Sequence, residues 1–173
     1  LTEVDMLLAI ALCRALLGIV FAVAVVGKLR RFTAFTTTLT AFGYVPARFR
    51  VPLAFAVVAA ECLIVGLVAV PATVPFGFLL AAATLAAFSL AVLQALRTGG
   101  SVRCECFGAD GGELGAPQLV RNGVLLAVAT TGAALTLSGP AGSTNLPGLA
   151  TGLVAGLVIT RWDDLVYLLR TGS

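Results

Sequence analysis

Two cysteines separated by one residue, Cys104 and Cys106, carry the clearest chemistry in this sequence. They sit in a polar, glycine-rich stretch, residues 97–117, where no packing duty explains them. A disulfide closed across one intervening residue is strained, and strained disulfides are labile and oxidising. The bland alternative is a fortuitous pair of reduced thiols. Cu(I) on two thiolates is the metal reading. It ranks lower because the chain has no histidine and its single methionine is Met6, so no metal is assigned. Two further cysteines adjoin charged residues inside long apolar runs: Cys13 precedes Arg14, and Cys62 follows Glu61. A guanidinium beside a thiol favours the thiolate, the form that attacks disulfides. Cysteine is equally an ordinary small apolar residue of buried helices. A four-cysteine zinc site would require Cys13 and Cys62 to leave mid-membrane and is rejected.

Arg14 and Glu61 are themselves the two charges placed inside hydrocarbon. Counted from the ends of their apolar runs, they lie about 20 Å and about 15 Å deep. An unpaired charge at mid-membrane costs at least about 2.5–3.5 kcal/mol on insertion scales. The two are therefore expected to pair across adjacent antiparallel helices, with Cys13 and Cys62 at similar depth beside them. That pair reads either as a structural clamp or as a polar pocket for a substrate head group, a quinone or a proton path.

The elements that must position these residues are membrane spans. Of 173 residues, 60% are hydrophobic and 11% charged, with a mean hydropathy of +1.07. Soluble domains carry about 25% charged residues. Apolar runs over about 6–27, 51–70, 76–96 and 118–137 are each long enough to cross a core of roughly 30 Å. A fifth run, 146–160, is short. Its Gly148, Gly152 and Gly156 form the small-residue ridge that lets membrane helices approach closely, and Trp162 stands at its end as an interfacial anchor. Between the first two spans, Phe32, Phe35, Leu39 and Phe42 recur at helical spacing among threonines. That pattern predicts an amphipathic helix at the membrane surface, ended by Gly43 and Pro46. The expected fold is an all-α integral membrane bundle of four helices with a fifth span.

The net charge of +3 is scattered singly between apolar runs, which excludes a nucleic-acid face. Lys28, Arg30, Arg31, Arg48, Arg50, Arg97, Arg103, Arg121, Arg161 and Arg170 fall on one side of the expected topology. The positive-inside rule makes that side cytoplasmic, with the N-terminus outside a bacterial inner membrane and the CxC loop facing the cytoplasm.

The order of these features resembles a known family. Arg14, Gly18, Phe21, Gly27-Lys28-Leu29 and Phe32 are similar to the first span of DoxX-like membrane proteins. So are Phe42-Gly43-Tyr44-Val45-Pro46 and the embedded Glu61 followed by Gly66. Phe88-Ser89-Leu90, the Cys104-to-Gly108 loop and Leu119-Val120-Arg121-Asn122 narrow the resemblance to the methylamine utilisation protein MauE family. It covers Arg14 to about Ala129. It implies a DoxX-like helical bundle that matures an exported, disulfide-containing dehydrogenase subunit beside a thioredoxin-like protein. Arg14, Lys28, Glu61, Cys104, Cys106 and Arg121 match its pattern; Cys13 and Cys62 do not.

The leading expectation is a membrane thiol–disulfide oxidoreductase. Cys104 and Cys106 would exchange with a thioredoxin-like protein, Cys13 and Cys62 would relay electrons, and a quinone entering near Arg14 and Glu61 is the alternative electron partner. The competing expectations are a non-enzymatic scaffold or chaperone for a redox partner, and a small-solute or metal carrier using the Arg14–Glu61 pair. The absence of an inverted repeat makes the carrier weaker.

Overall fold

The computed structural model describes residues 3–39, 46–97, 116–138 and 146–161. Among them the chain is helical: α1 Glu3–Arg30, α2 Phe32–Thr38, α3 Ala47–Ala69, α4 Val74–Arg97, α5 Ala116–Ser138 and α6 Leu146–Thr160. Four of these helices are long and apolar enough to cross a membrane. Away from its ends, every backbone polar group of such a helix is met within its own segment, which is what hydrocarbon demands. Intramembrane hydroxyls follow the same rule. Thr84, Ser89 and Thr136 donate to the carbonyls of Leu80, Leu85 and Gly132 one turn back, at 2.8–2.9 Å.

α1 carries Glu3 and Asp5 in its first turn and Lys28 and Arg30 in its last, the charge order that its dipole favours. It is the central helix, packed against α3, α5 and α6, while α4 packs on α3 and α5. A short 3-10 turn, Pro71–Thr73, joins α3 to α4. That end of the bundle is called the turn end below. The other is the loop end, where α4 stops and α5 begins. A main apolar cluster fills the turn-end half, built on Leu17, Val20, Ile64, Phe78, Leu85 and Leu125. The Phe78 ring lies on Gly132, where a Cβ would stand 2.6 Å from it. The outward face is apolar too: Phe55, Leu63, Phe76, Leu90, Leu137 and Val154 are all exposed, a surface that belongs in lipid.

α2 is the amphipathic helix expected after the first span, with Thr33 and Thr37 exposed and its apolar side turned to the bundle. Phe35 and Leu39 are buried against Ala54 of α3 and Val92 and Ala95 of α4, forming a second, smaller apolar cluster at the loop end. Phe32 packs against Phe55 with ring centroids 4.8 Å apart. The apolar face of α2 is thus spent on the bundle. Phe42, Gly43 and the Phe42-to-Val45 part of the turn motif lie outside the described residues.

α6 runs parallel to α1. Gly148 faces Leu8 and Ala11, Gly152 faces Leu12 and Ala15, and Gly156 faces Leu16 and Ile19. The glycine ridge lets the two backbones meet within the chain. At fifteen residues, the helix is about 22 Å long, less than the hydrocarbon core. Trp162 lies outside the described residues.

Candidate functional site: a polar layer inside the bundle

Between the two apolar clusters lies a layer of buried polar groups. α3, α4 and α5 each pass from one cluster to the other through it. On α3 Glu61 stands between Ala54 and Ile64; on α4 Phe88 and Ser89 stand between Leu85 and Val92; on α5 Arg121 and Asn122 stand between Leu119 and Leu125. Lys28 enters from the last turn of α1.

Lys28 Nζ donates to Glu61 Oε1 at 2.6 Å, and the two side chains are 0% and 2% exposed. The other carboxylate oxygen, Oε2, is buried with no hydrogen-bond partner among the described residues. The ammonium also lies 5.5 Å from the centroid of the Phe35 ring and 5.7 Å from that of Phe88, within cation–π range of both. The buried Arg121 guanidinium is within electrostatic reach of Lys28. Five helices therefore converge on one small volume, and the strongest charges in it come from three of them.

Arg14 serves a different purpose. Its Nε donates to the Val68 carbonyl at 3.0 Å and its Nη2 to the Ala69 carbonyl at 3.1 Å. These are carbonyls of the last turn of α3, which have no partner within the helix. A cation there also complements the helix dipole. Thr73 completes the cap by donating to the Leu67 and Val70 carbonyls.

The expected Arg14–Glu61 pair is thus corrected to two separate arrangements, Arg14 with the α3 terminus and Lys28 with Glu61. Gly18 packs beside Val68, and counting helical rise from that contact puts Arg14 and Glu61 about 16 Å apart along the bundle. The direction of the side chains widens the separation, because side chains lean toward the N-terminus of their own helix. Arg14 leans toward the turn end, whereas Glu61 and Lys28 lean toward each other. The direct Arg14–Glu61 contact around which a quinone or substrate pocket was expected is therefore not made.

The same register separates Cys13 from Cys62 by about 16 Å. Cys13 is buried in the main cluster and Cys62 is exposed on the outer face of α3. They are not the neighbouring pair expected, and a disulfide between them would need Cα atoms within about 7 Å. Cys104 and Cys106 lie outside the described residues. No cluster of metal-ligating side chains occurs among the described residues.

The sequence-matched residues Lys28 and Arg121 prove to belong to the site, although charge bias alone reads them as topology markers. Phe35 and Phe88 were not singled out as site residues. The signal for Phe88 is its spacing, three residues beyond the core residue Leu85 and on the inner side of α4.

The methylamine utilisation protein MauE family matches residues 6–135, three quarters of the chain. The chain belongs to the MauE family. The match spans α1 to α5, so it contains every residue of the polar layer, and it ends before α6. No curated protein and no solved structure matches the chain. The sequence resemblance is confirmed, and with it the description of a multi-pass membrane protein of the methylamine utilisation MauE family.

Proposed function

We propose that this MauE-family chain is a membrane thiol–disulfide redox protein whose Cys104–Cys106 pair exchanges with a thioredoxin-like partner and so supports disulfide formation in exported proteins. The observation that carries the reading is the position of the polar layer. The helices flanking the CxC loop, α4 and α5, both enter it, and Arg121 lies only about 8 Å along α5 from the first residue of that helix. The CxC loop is thus joined directly to helices that carry the buried polar groups.

In the oxidising direction, a thiolate of the reduced partner attacks the Cys104–Cys106 disulfide and one loop sulfur leaves as thiolate. The partner's second thiol then displaces the loop from the mixed disulfide. The partner ends as a disulfide and the loop as a dithiol, with two electrons and two protons moved from partner to loop. A lipid-soluble quinone is the class of acceptor proposed to take them on, leaving as quinol. The direct relay through Cys13 and Cys62 is set aside on geometric grounds. The bias of the arginines and lysines supports a cytoplasmic loop with the N-terminus outside.

The test is thiol trapping in intact cells with a membrane-impermeant maleimide, on variants keeping Cys104 or Cys106 alone, together with activity of Cys104→Ser and Cys106→Ser. Loss of dehydrogenase maturation in both variants, with labelling only after lysis, is expected. Normal maturation without either cysteine overturns the reading, and labelling from outside overturns the orientation.

A further inference from the structure

We infer that the Lys28–Glu61 pair is a proton-exchanging site inside the membrane, with Oε1 held by the lysine and Oε2 the position at which a proton is taken up and returned. This goes beyond the thiol–disulfide reading and does not rest on it, since no cysteine enters the site.

The first support is the one-sided contact. A buried ion pair repays its desolvation when the remaining lone pairs also find donors. Here Oε1 is engaged at 2.6 Å while Oε2, equally buried, has no hydrogen-bond partner among the described residues. The pair thus engages one carboxylate oxygen and leaves the other without a donor from the described residues. As a brace the pair is redundant, because α1 and α3 are already joined by Arg14 at the α3 terminus and by the packing of Val20 and Ile64 in one cluster.

The second support is the provision for Lys28. Its ammonium has the faces of Phe35 and Phe88 within 6 Å. When Oε2 takes a proton, the remaining positive charge still lies against two rings. The charged group facing Glu61 is Lys28 from α1, and Arg121 from α5 is within electrostatic reach of Lys28. α2 and α4 bring Phe35 and Phe88 to the layer and no charge among the described residues. The step balances simply: the carboxylate gains a proton from hydronium and leaves water, no electron moves, and the reverse step restores the ion pair. The loop end is the nearer end of the bundle to Lys28, which stands in the last turn of α1, and the smaller apolar cluster lies on that side.

Infrared difference spectra of the full chain in lipid, wild type against Glu61→Gln, test this across a pH series. The expected result is a protonated-carboxyl C=O band that grows as pH falls, shifts in heavy water and is absent from Glu61→Gln. Glu61→Asp should restore a band at shifted frequency, which separates loss of the proton site from loss of the fold. In Lys28→Met the band should persist across more of the series. A difference spectrum with carboxylate bands alone, at every pH where circular dichroism shows intact helices, would overturn the proposal.

Discussion

Arg14 and Val68 are joined across the bundle, guanidinium Nε to backbone carbonyl at 3.0 Å, so a cation of the first helix closes the end of the third. With the second bond to Ala69, this meets two carbonyls that lipid could not solvate. Arg14→Met is expected to lower the stability of the folded bundle by about 1–3 kcal/mol, the range for a charge-assisted bond moderated by membrane measurements. Unfolding in mixed detergent micelles reads the loss. Arg14→Lys should recover part of it, since one ammonium cannot span both carbonyls as the planar fork does. A wild-type midpoint for Arg14→Met would remove the capping role.

The helices were legible in the sequence because lipid leaves few options: an apolar run of twenty residues must be helical and must span. What the sequence hid was register. Counting from the ends of hydropathy runs sets Gly27 opposite Val51, but packing sets Gly18 beside Val68, a slip of roughly eight residues or about 12 Å. That slip alone turned Arg14 toward Glu61 on paper. The lean of helical side chains was the readable correction, since it points Arg14 away from Glu61 and Lys28 toward it. The glycines of α6 announced a close approach without naming α1 as the partner. Phe35 and Leu39 announced an apolar face without telling bundle from lipid.

The Lys28–Glu61 contact should be visible as a coupling energy. Each single change, Lys28→Met or Glu61→Gln, removes one partner from a pair buried at 0% and 2% exposure. Breaking such a pair costs about 3–5 kcal/mol, whereas replacing both partners costs far less. The double variant is therefore expected to be more stable than the sum of the singles predicts by about 3 kcal/mol or more. Additive costs in the same unfolding assay would mean that the two side chains do not meet.

Cys13 and Cys62 should differ in chemistry as they differ in place. In a Cys104→Ser, Cys106→Ser background, a lipid-soluble maleimide should label Cys62, exposed on the outer face of α3, and leave Cys13 unlabelled until denaturation. Copper-phenanthroline oxidation should yield no intramolecular disulfide between them, given a separation of about 16 Å along the bundle. Mass spectrometry of the alkylated peptides decides both points. A Cys13–Cys62 disulfide formed in the folded protein would restore the relay that this geometry sets aside.

α6 lies beyond the span matched to the family, and its hold on the bundle depends on backbone contact. A Cβ on Gly152 would run into the Leu12 carbonyl oxygen and the Ala15 side chain, atoms of α1 that cannot move aside cheaply. Overpacking of this kind costs about 1–3 kcal/mol, and a larger side chain such as leucine should exceed what one short helix gains from its seam. Gly152→Leu is expected to release α6 while α1 to α5 stay assembled, because the main cluster is built on α1, α3, α4 and α5. A protease site introduced into residues 139–145 makes this measurable. After cleavage in mild detergent the α6 fragment should co-purify with the wild-type core and separate from the Gly152→Leu core, with the helical signal of the core retained. Co-purification in both would show that α6 is held by something other than the glycine seam.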